Sequence, residues 1–443
     1  MAFTSLLALA LCLCLSGCGG SEPPPRDTIT YTFDAQTREL IDRLAKKSQR
    51  PVYLEFDRYF KGVFVPQSLL PLEPFVLGLS TESRIPTVLI LDAPWVQRYG
   101  LAGWLYELER TGVFAREELV PAVAEAFSLS LTRIIGRPRK ELMAVPTSIK
   151  GNILFYRRDL LERHQLAPPR TWEELKTICR KVLPQEKSLK YGLLVHPTNF
   201  INDFYPIFWG FGGQVLDGEG RLALSQDKNL SAWVGALTEV VSMQGSIIPG
   251  PKELPRFEEP TALRKAFYRG EALFMINWNT RLQDLKGMIQ KGEGKTPAGL
   301  TRITQVGVAP IPCRRGQKQR YSNIGSFGWG VNRFAVISPR VIDNAKKFIN
   351  LVTDEPSQIL AAETLGQVPA LKEALKKVTN PEVLQVYQET FASPDMVLQP
   401  RPFSRRINNV LERYLQEALY ARQPPGAATQ AALKELQETD TTE

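Results

Sequence analysis

The sequence predicts an α/β protein built of two domains, and three observations carry that expectation. The chain has 443 residues, 43% of them hydrophobic and 23% charged, an ordinary globular composition and long enough for two cores rather than one. Strand-like and helix-like periodicities alternate along it. One strand candidate, Thr87 to Leu91 (TVLIL), is apolar throughout and stops at Asp92. A strand with no polar face suits a buried parallel sheet whose carboxyl edge presents loops to a ligand.

The elements follow in order. Thr28 to Phe33 (TITYTF) alternates and is β-branched and aromatic, which predicts the first strand, and residues 35–46 then place Leu40, Ile41 and Leu44 on one helical face. Pro51 to Phe56 (PVYLEF) is the next strand, ahead of Thr87 to Leu91. Pro168-Pro169 stops one helix, and Thr171-Trp172-Glu173-Glu174 reads as a capping box that opens another, with Leu175, Ile178 and Val182 as its buried stripe. The turn-rich WGFGGQVLDGEG at 209–220 places a hairpin tip at DGEG. Residues 341–365 predict a helical pair broken at Thr353 and ended by Gly366. The segment 404–420 is amphipathic through Ile407, Val410, Leu411 and Leu415, and RQPPGA at 422–427 links it to a last short helix.

Composition excludes several functions. Lys+Arg 55 against Asp+Glu 46 gives a formal charge of +9, but the excess is spread along the chain. Its densest cluster, CRRGQKQR at 313–320, reads as a solvated loop, so no nucleic-acid partner is expected. The two histidines, His164 and His196, have no second imidazole or cysteine at metal-ligand spacing, and neither metal nor cofactor is expected. No G-x-S-x-G elbow occurs. GEGKT at 292–296 fails as a phosphate loop because Ile289 stands where its first glycine belongs and Pro297 follows. The acid pairs Glu173-Glu174 and Glu258-Glu259 sit side by side rather than across a substrate, so no catalysis is expected.

The first residues bear on the compartment. SLLALALCLCL at 5–15 is shorter than the roughly 20 residues that span a bilayer and fits a signal-peptide core. It ends in Leu15-Ser16-Gly17-Cys18, which resembles the lipobox of bacterial lipoproteins, although the preceding MAFT carries no Lys or Arg. The resemblance implies that residues 1–17 are removed, that Cys18 takes a lipid anchor, and that the rest lies outside the cytoplasm on a membrane. Residues 18–26, with their Gly, Ser and Pro, read as a tether. Cys179 and Cys313 remain, as one disulfide or two buried thiols.

Five segments carry a wider likeness: TVLILDAPWVQRYGLAGWLYELE (87–109), AVPTSIKGNILFYRRDLLERHQLAPPRTWEEL (144–175), YGLLVHPTNFINDFYPIFWGFGGQVLDGEG (191–220), FYRGEALFMINW (267–278), and VGVAPIPC with GSFGWGVN (306–313, 325–332). In this order they resemble the family 1 extracellular solute-binding proteins of bacterial ABC importers, the maltose and trehalose type, over nearly all of the mature chain. The resemblance implies a two-lobed periplasmic-binding-protein fold of type II, with one lobe from 27–141 plus 330–375 and the other from 146–325 plus 376–443. A carbohydrate would lie between the lobes, the partners would be ABC permease subunits, and the protein would be a monomer. A lipid-anchored carbohydrate-active enzyme and a binding protein serving a membrane sensor are the other readings.

A sugar site needs aromatic faces and short polar groups. Trp278 and Trp329 match positions where similar proteins place a stacking ring, while Trp95 and Trp209 are open between stacking and core packing. Asp92 matches the family acid, and its other role is to cap the helix that begins near Pro94; Asp34 is a second acid of this kind. Asn202, Tyr205 and the neighbouring Asp203 are expected on a loop before Trp209. Gly328 lets backbone approach the ligand, or makes a turn. Lys150 stands where sugar-binding relatives usually carry an acid. An ammonium cannot accept a hydroxyl hydrogen, so Lys150 pairs with Asp92, meets an anionic sugar derivative, or points to solvent.

Overall fold

The computed structural model describes residues 29–33, 60–64, 87–108, 115–131, 139–217, 221–292, 294–336, 338–402 and 404–440. Cys18, Asp34, the tether, the expected helix at 35–46 and the expected strand at 51–56 lie outside the described residues. The first elements are β1 (Ile29–Phe33), β2 (Phe60–Phe64), β3 (Val88–Asp92), α1 (Ala93–Leu101), α2 (Pro121–Ala126), β4 (Ser128–Leu131) and β5 (Arg139–Leu142). Next come β6 (Val145–Pro146), β7 (Ser148–Ile149), β8 (Asn152–Arg157), α3 (Arg158–Arg163), α4 (Trp172–Val182), β9 (Tyr191–Leu194), α5 (Phe200–Trp209), α6 (Asp227–Ser242), α7 (Ala262–Tyr268), β10 (Ala272–Trp278) and α8 (Arg281–Lys291). The rest comprises β11 (Val306–Ala309), β12 (Arg320–Asn323), β13 (Phe327–Val331), α9 (Pro339–Thr353), α10 (Glu355–Leu365), β14 (Val368–Pro369), α11 (Lys372–Lys377), α12 (Pro381–Val386), β15 (Met396–Gln399), α13 (Arg405–Leu419) and α14 (Pro425–Asp440).

Two sheets organise these elements. One has the order β2-β1-β3-β13-β6, the other β11-β8-β10-β9. The apolar strand β3 is buried along its whole length, but its sheet is mixed rather than parallel: β1 runs parallel to β2 and β3, whereas β13 is antiparallel to β3 and β6. The reason is connectivity. β13 enters from the side of the second sheet, directly after β12 and the short link 324–326, and so runs against β3.

The chain passes between the sheets twice at one place. The segment from β6 to β8 and the link from β12 to β13 lie side by side, with an antiparallel bridge between Gly151 and Ile324. Gly325 N donates to Lys150 O at 2.8 Å and Lys150 N donates to Ser326 Oγ at 2.9 Å. Asn279, just past β10, holds the first pass: Gly151 N donates to its Oδ1 at 3.0 Å and its own N donates to Gly151 O at 2.9 Å. Close approach requires glycine at both crossings. A Cβ would meet Ser322 Oγ at 2.4 Å from position 151 and Trp278 Cζ3 at 2.4 Å from position 325.

Burial follows strand alternation. Along β8, Ile153 and Phe155 face one hydrophobic core, while Leu154 and Tyr156 face the other, which is filled by α4, α5, α6, α13 and α14. The first core continues to the five-stranded sheet, where Trp329 is 1% exposed and edge-on to Phe348 of α9, ring centroids 5.2 Å apart. Helix ends are closed by specific groups. Thr171 Oγ1 accepts from Glu174 N at 3.2 Å, and Glu174 reaches back to Arg170 N at 2.7 Å, one residue further than a standard capping box. Asp354 separates α9 from α10 and caps the second through Ser357 N at 3.0 Å, and Gly366 ends it with φ of 66°. Cys179 and Cys313 are two buried free thiols.

The start of α5 is held by carboxylates. Glu412 of α13 accepts from Phe200 N at 3.1 Å and Ile201 N at 2.7 Å, and Asp203 accepts from Asn152 Nδ2 at 2.6 Å and His196 N at 3.0 Å. Burial pushes the Asp203 carboxyl up to about 8, with the nearby Glu412 adding to the rise and the His196 and Asn152 donors opposing it. The folded chain therefore binds this proton more tightly than the unfolded chain, so the stabilisation is complete below pH 4 or so and is lost as pH rises through about 8. Thermal unfolding across this window should fall with pH in the native protein and fall less in Asp203→Asn; equal slopes would remove Asp203 as the cause. For the core, Trp329→Ala should cost about 3–5 kcal/mol of unfolding free energy, and Trp329→Phe clearly less, measured by urea denaturation.

Candidate functional site

Where the sheets meet, side chains form a closed circuit of contacts. Trp278 ends β10 and is paired in register with Asn152, the first residue of β8. The Lys150 ammonium lies 5.2 Å from the Trp278 ring centroid and 5.6 Å from that of Phe327, a cation set over two aromatic faces. Phe327 opens β13 and is the register partner of Asp92 at the end of β3. Asp92 Oδ2 forms an ion pair with Arg401, whose other terminal nitrogen donates to Asn202 Oδ1 at 2.8 Å. Asn202 O in turn accepts from Asn152 Nδ2 at 3.3 Å, which returns to Trp278, and from Asn323 Nδ2 at 3.0 Å.

One helix defect makes that last contact available. Pro206 lies inside α5 and has no N–H, so the carbonyl four residues earlier, that of Asn202, loses its helical donor. The side-chain amides of Asn152 and Asn323 take its place. The segment expected as a loop around Asn202 to Tyr205 is thus helix, because Phe200, Ile201, Phe204, Ile207 and Phe208 are all buried and packing outweighs the proline.

The circuit holds a buried, unpaired acceptor. Asp92 is 9% exposed and its Oδ1 is buried without a hydrogen-bond partner. Asp92 occupies the N-cap position of α1 but makes no side-chain cap bond. Its carboxylate therefore serves the circuit rather than the helix. Trp278, Lys150, Phe327, Asn202 and Arg401 are all partly exposed.

The structure brings Asp92, Lys150, Asn202 and Trp278 together; Trp95, one turn into α1 and partly exposed, packs against Tyr99 with ring centroids 5.7 Å apart. Four other expected contacts have core environments in the structure. Trp329 is the core ring described above. Tyr205 is fully buried, stacked on Trp209 with centroids 5.4 Å apart and planes at 12°, and its hydroxyl donates to Asn408 Oδ1 at 2.6 Å. Trp209 is 3% exposed. At Gly328 a Cβ would lie 2.5 Å from Phe127 Cε1, so the glycine there admits a neighbouring ring. Sequence reasoning missed Phe327 and Arg401. The signal for Arg401 was its place between Pro400 and Pro402, a stretch held extended and unable to join either neighbouring element.

Comparison with known proteins agrees with this architecture. The chain is 24% identical over 307 residues to a probable ABC transporter-binding protein of Deinococcus radiodurans, a match spanning 65% of this chain and 66% of that relative, just under two thirds of its length. Among solved structures it is similar to maltose-bound MalE3 of T. maritima, with TM-score 0.70 and 24% identity over 93% of this chain and 99% of that one. It is also similar to the sugar-binding protein MalE of Xanthomonas citri, with TM-score 0.70 and 16% identity over 94% and 100%. Residues 78–385 match the family model described as bacterial extracellular solute-binding protein, and on that match, which covers most of its length, the chain belongs to that family.

Proposed function

We propose that this protein is the extracytoplasmic substrate-binding component of an ABC importer, capturing a carbohydrate between its two lobes and handing it to the permease. The observation that carries the ligand class is the partly exposed Trp278 indole in one circuit with a carboxylate whose second oxygen is buried without a hydrogen-bond partner. A sugar ring stacks its apolar face on such an indole, and its hydroxyls donate to such an oxygen and accept from a guanidinium. The maltose held by the similar T. maritima structure and the transporter role in the name of the D. radiodurans relative support the reading.

In this reading one lobe takes residues 27–141 and 330–375 around the five-stranded sheet, and the other takes 146–325 and 376–443 around the four-stranded sheet. Closure bends the chain at its paired crossing, and the closed form is what the permease recognises. Residues 1–17 are a signal peptide, Cys18 carries the lipid anchor, residues 18–26 are the tether, and the monomer does no chemistry on its ligand.

The test is thermal unfolding of the chain from residue 19 onward against neutral and acidic mono- and oligosaccharides, followed by titration calorimetry of the hits. A ligand that binds only the folded state raises apparent stability. Trp278→Ala should weaken binding by about two- to tenfold through the ring contact alone, given roughly 0.5–1.5 kcal/mol, and further through the buried area lost. Arg401→Ala should weaken it as well. Turnover of a glycoside in the same wells would overturn the binding-protein reading, as would the absence of any stabilising saccharide.

A further inference from the structure

Among the described residues two large hydrophobic side chains are exposed, Leu101 at 63% and Phe334 at 50%, and they flank one backbone contact. Leu101 ends α1, and the partly exposed Trp104 follows three residues later. Phe334 lies in a short helical turn at Arg333–Ala335, just after β13. The two segments are pinned together. Arg333 N donates to Trp104 O at 2.9 Å, its guanidinium donates to Leu105 O at 3.2 Å and to Glu107 Oε1 at 3.4 Å, and Leu105 forms an antiparallel bridge with Asn332. Trp104 packs against the buried Tyr99 ring, centroids 5.2 Å apart, and Asn332 Oδ1 accepts from Phe334 N at 3.1 Å. Leu101, Trp104 and Phe334 therefore stand on a fixed apolar corner. Exposed apolar groups gathered in this way mark a surface that meets a partner.

The corner lies at the end of the five-stranded sheet away from the circuit. β13 is antiparallel to β3, with Phe327 opposite Asp92 at the circuit end and Val331 opposite Val88 at the other, where Asn332 N donates to Thr87 O at 2.8 Å. α1 starts beside Asp92 and returns the chain to that far end, since Leu105, four residues past its last residue, bridges Asn332. β1 is parallel to β3 with Tyr31 opposite Val88, so the chain enters β1 through Ile29 at the same far end. Cys18 precedes Ile29 by 29 less 18, eleven positions. Eleven residues reach at most about 40 Å, and as a flexible chain they hold their ends about 18 Å apart on average. An anchor at Cys18 thus keeps this end of the sheet close to the bilayer, where a weak apolar contact becomes effective through local concentration. Leucine, phenylalanine and tryptophan are side chains that enter the boundary between headgroups and acyl chains. A permease sensing closure would need surface on both sides of the cleft, whereas this corner belongs to one sheet alone.

Resting on the lipid-anchor reading above, we propose that the corner of Leu101, Trp104 and Phe334 is a resting surface for the bilayer that holds the anchor. The tethered protein lies with this end against the lipid and turns the Asp92 end of the sheet, and with it the cleft, towards the surroundings from which the ligand arrives.

The test couples the chain from Cys18 onward, through the Cys18 thiol, to a maleimide lipid in phosphatidylcholine vesicles; Cys179 and Cys313 are buried and do not compete. Part of the phosphatidylcholine carries brominated acyl chains, which quench an indole only at close contact. A zwitterionic lipid keeps the formal charge of +9 from holding the protein down by itself. Tryptophan emission should fall in brominated vesicles relative to plain ones, equally so near 0.5 M NaCl, where surface charges are largely screened. Trp104→Phe should remove most of the fall. Leu101→Glu combined with Phe334→Glu should at least halve it, while moving the unfolding temperature by no more than about 2 °C, as for other surface changes. No fall, or a fall unmoved by Trp104→Phe, overturns the resting surface. A drop of more than about 5 °C in the double variant also overturns it, because the corner is then covered by the chain itself. So does a dimer of the uncoupled chain in analytical ultracentrifugation that the double variant abolishes, because the corner then meets a second copy. The anchor is judged apart, since the vesicle arm supplies the lipid chemically: equal membrane retention of the full chain and of Cys18→Ser in bacteria overturns the anchor reading alone.

Discussion

At the junction of the two sheets the backbones of Gly151 and Ile324 lie against each other, tied by the hydrogen bond from Gly325 N to Lys150 O. The rest of the arrangement depends on this contact. It brings β8 and β13, which belong to different sheets, out of a common point, and so decides that Trp278 and Asp92 can face one space although 186 positions, 278 less 92, separate them in sequence. The two glycines are the physical condition for it. Any side chain at 151 would strike Ser322, and any at 325 would displace the indole ring that rests on it. Backbone compactness at the junction and the placement of the aromatic face are therefore one constraint.

Around that junction, polar groups are arranged by subtraction as much as by addition. Pro206 deletes a helical N–H, and the freed Asn202 carbonyl ties α5 to β8 through Asn152 and to β12 through Asn323. Asp92 forgoes a helix cap and keeps one oxygen unpaired, while its other oxygen engages Arg401. Arg401 thereby joins the end of β3 to the start of α5, elements that pack in different cores. In the proposed function, a ligand entering between them would meet groups whose positions are already fixed by neighbours, which lowers the ordering cost of binding.

Much of the architecture was legible in the sequence because it rests on local signals. The continuous apolar run of β3 with its terminal acid, the Thr171 cap, the break before α10 and the Gly366 stop each follow from residues within one turn or strand, and all appear where expected. The site was less legible. Asp92, Lys150, Asn202 and Trp278 converge as candidates, but Trp329, Tyr205 and Trp209 look the same in sequence and lie in the cores. Which side of a strand or helix an aromatic ring occupies depends on which sheet covers it, and that is a tertiary fact. Arg401 was hidden for the same reason: its partners Asp92 and Asn202 lie 309 and 199 positions away. The mixed direction of the first sheet likewise comes from the return of the chain at β13.

The two buried thiols have a practical consequence. Cys179 is fully enclosed and its thiol is pushed up to about 12 by burial, and burial raises Cys313 as well, so neither presents a thiolate at neutral pH. In the folded chain from residue 19 onward, a cysteine introduced on the surface of each lobe would react with maleimide dyes well ahead of both. Lobe separation then becomes directly readable by energy transfer between two fluorophores, without first removing any native sulfur.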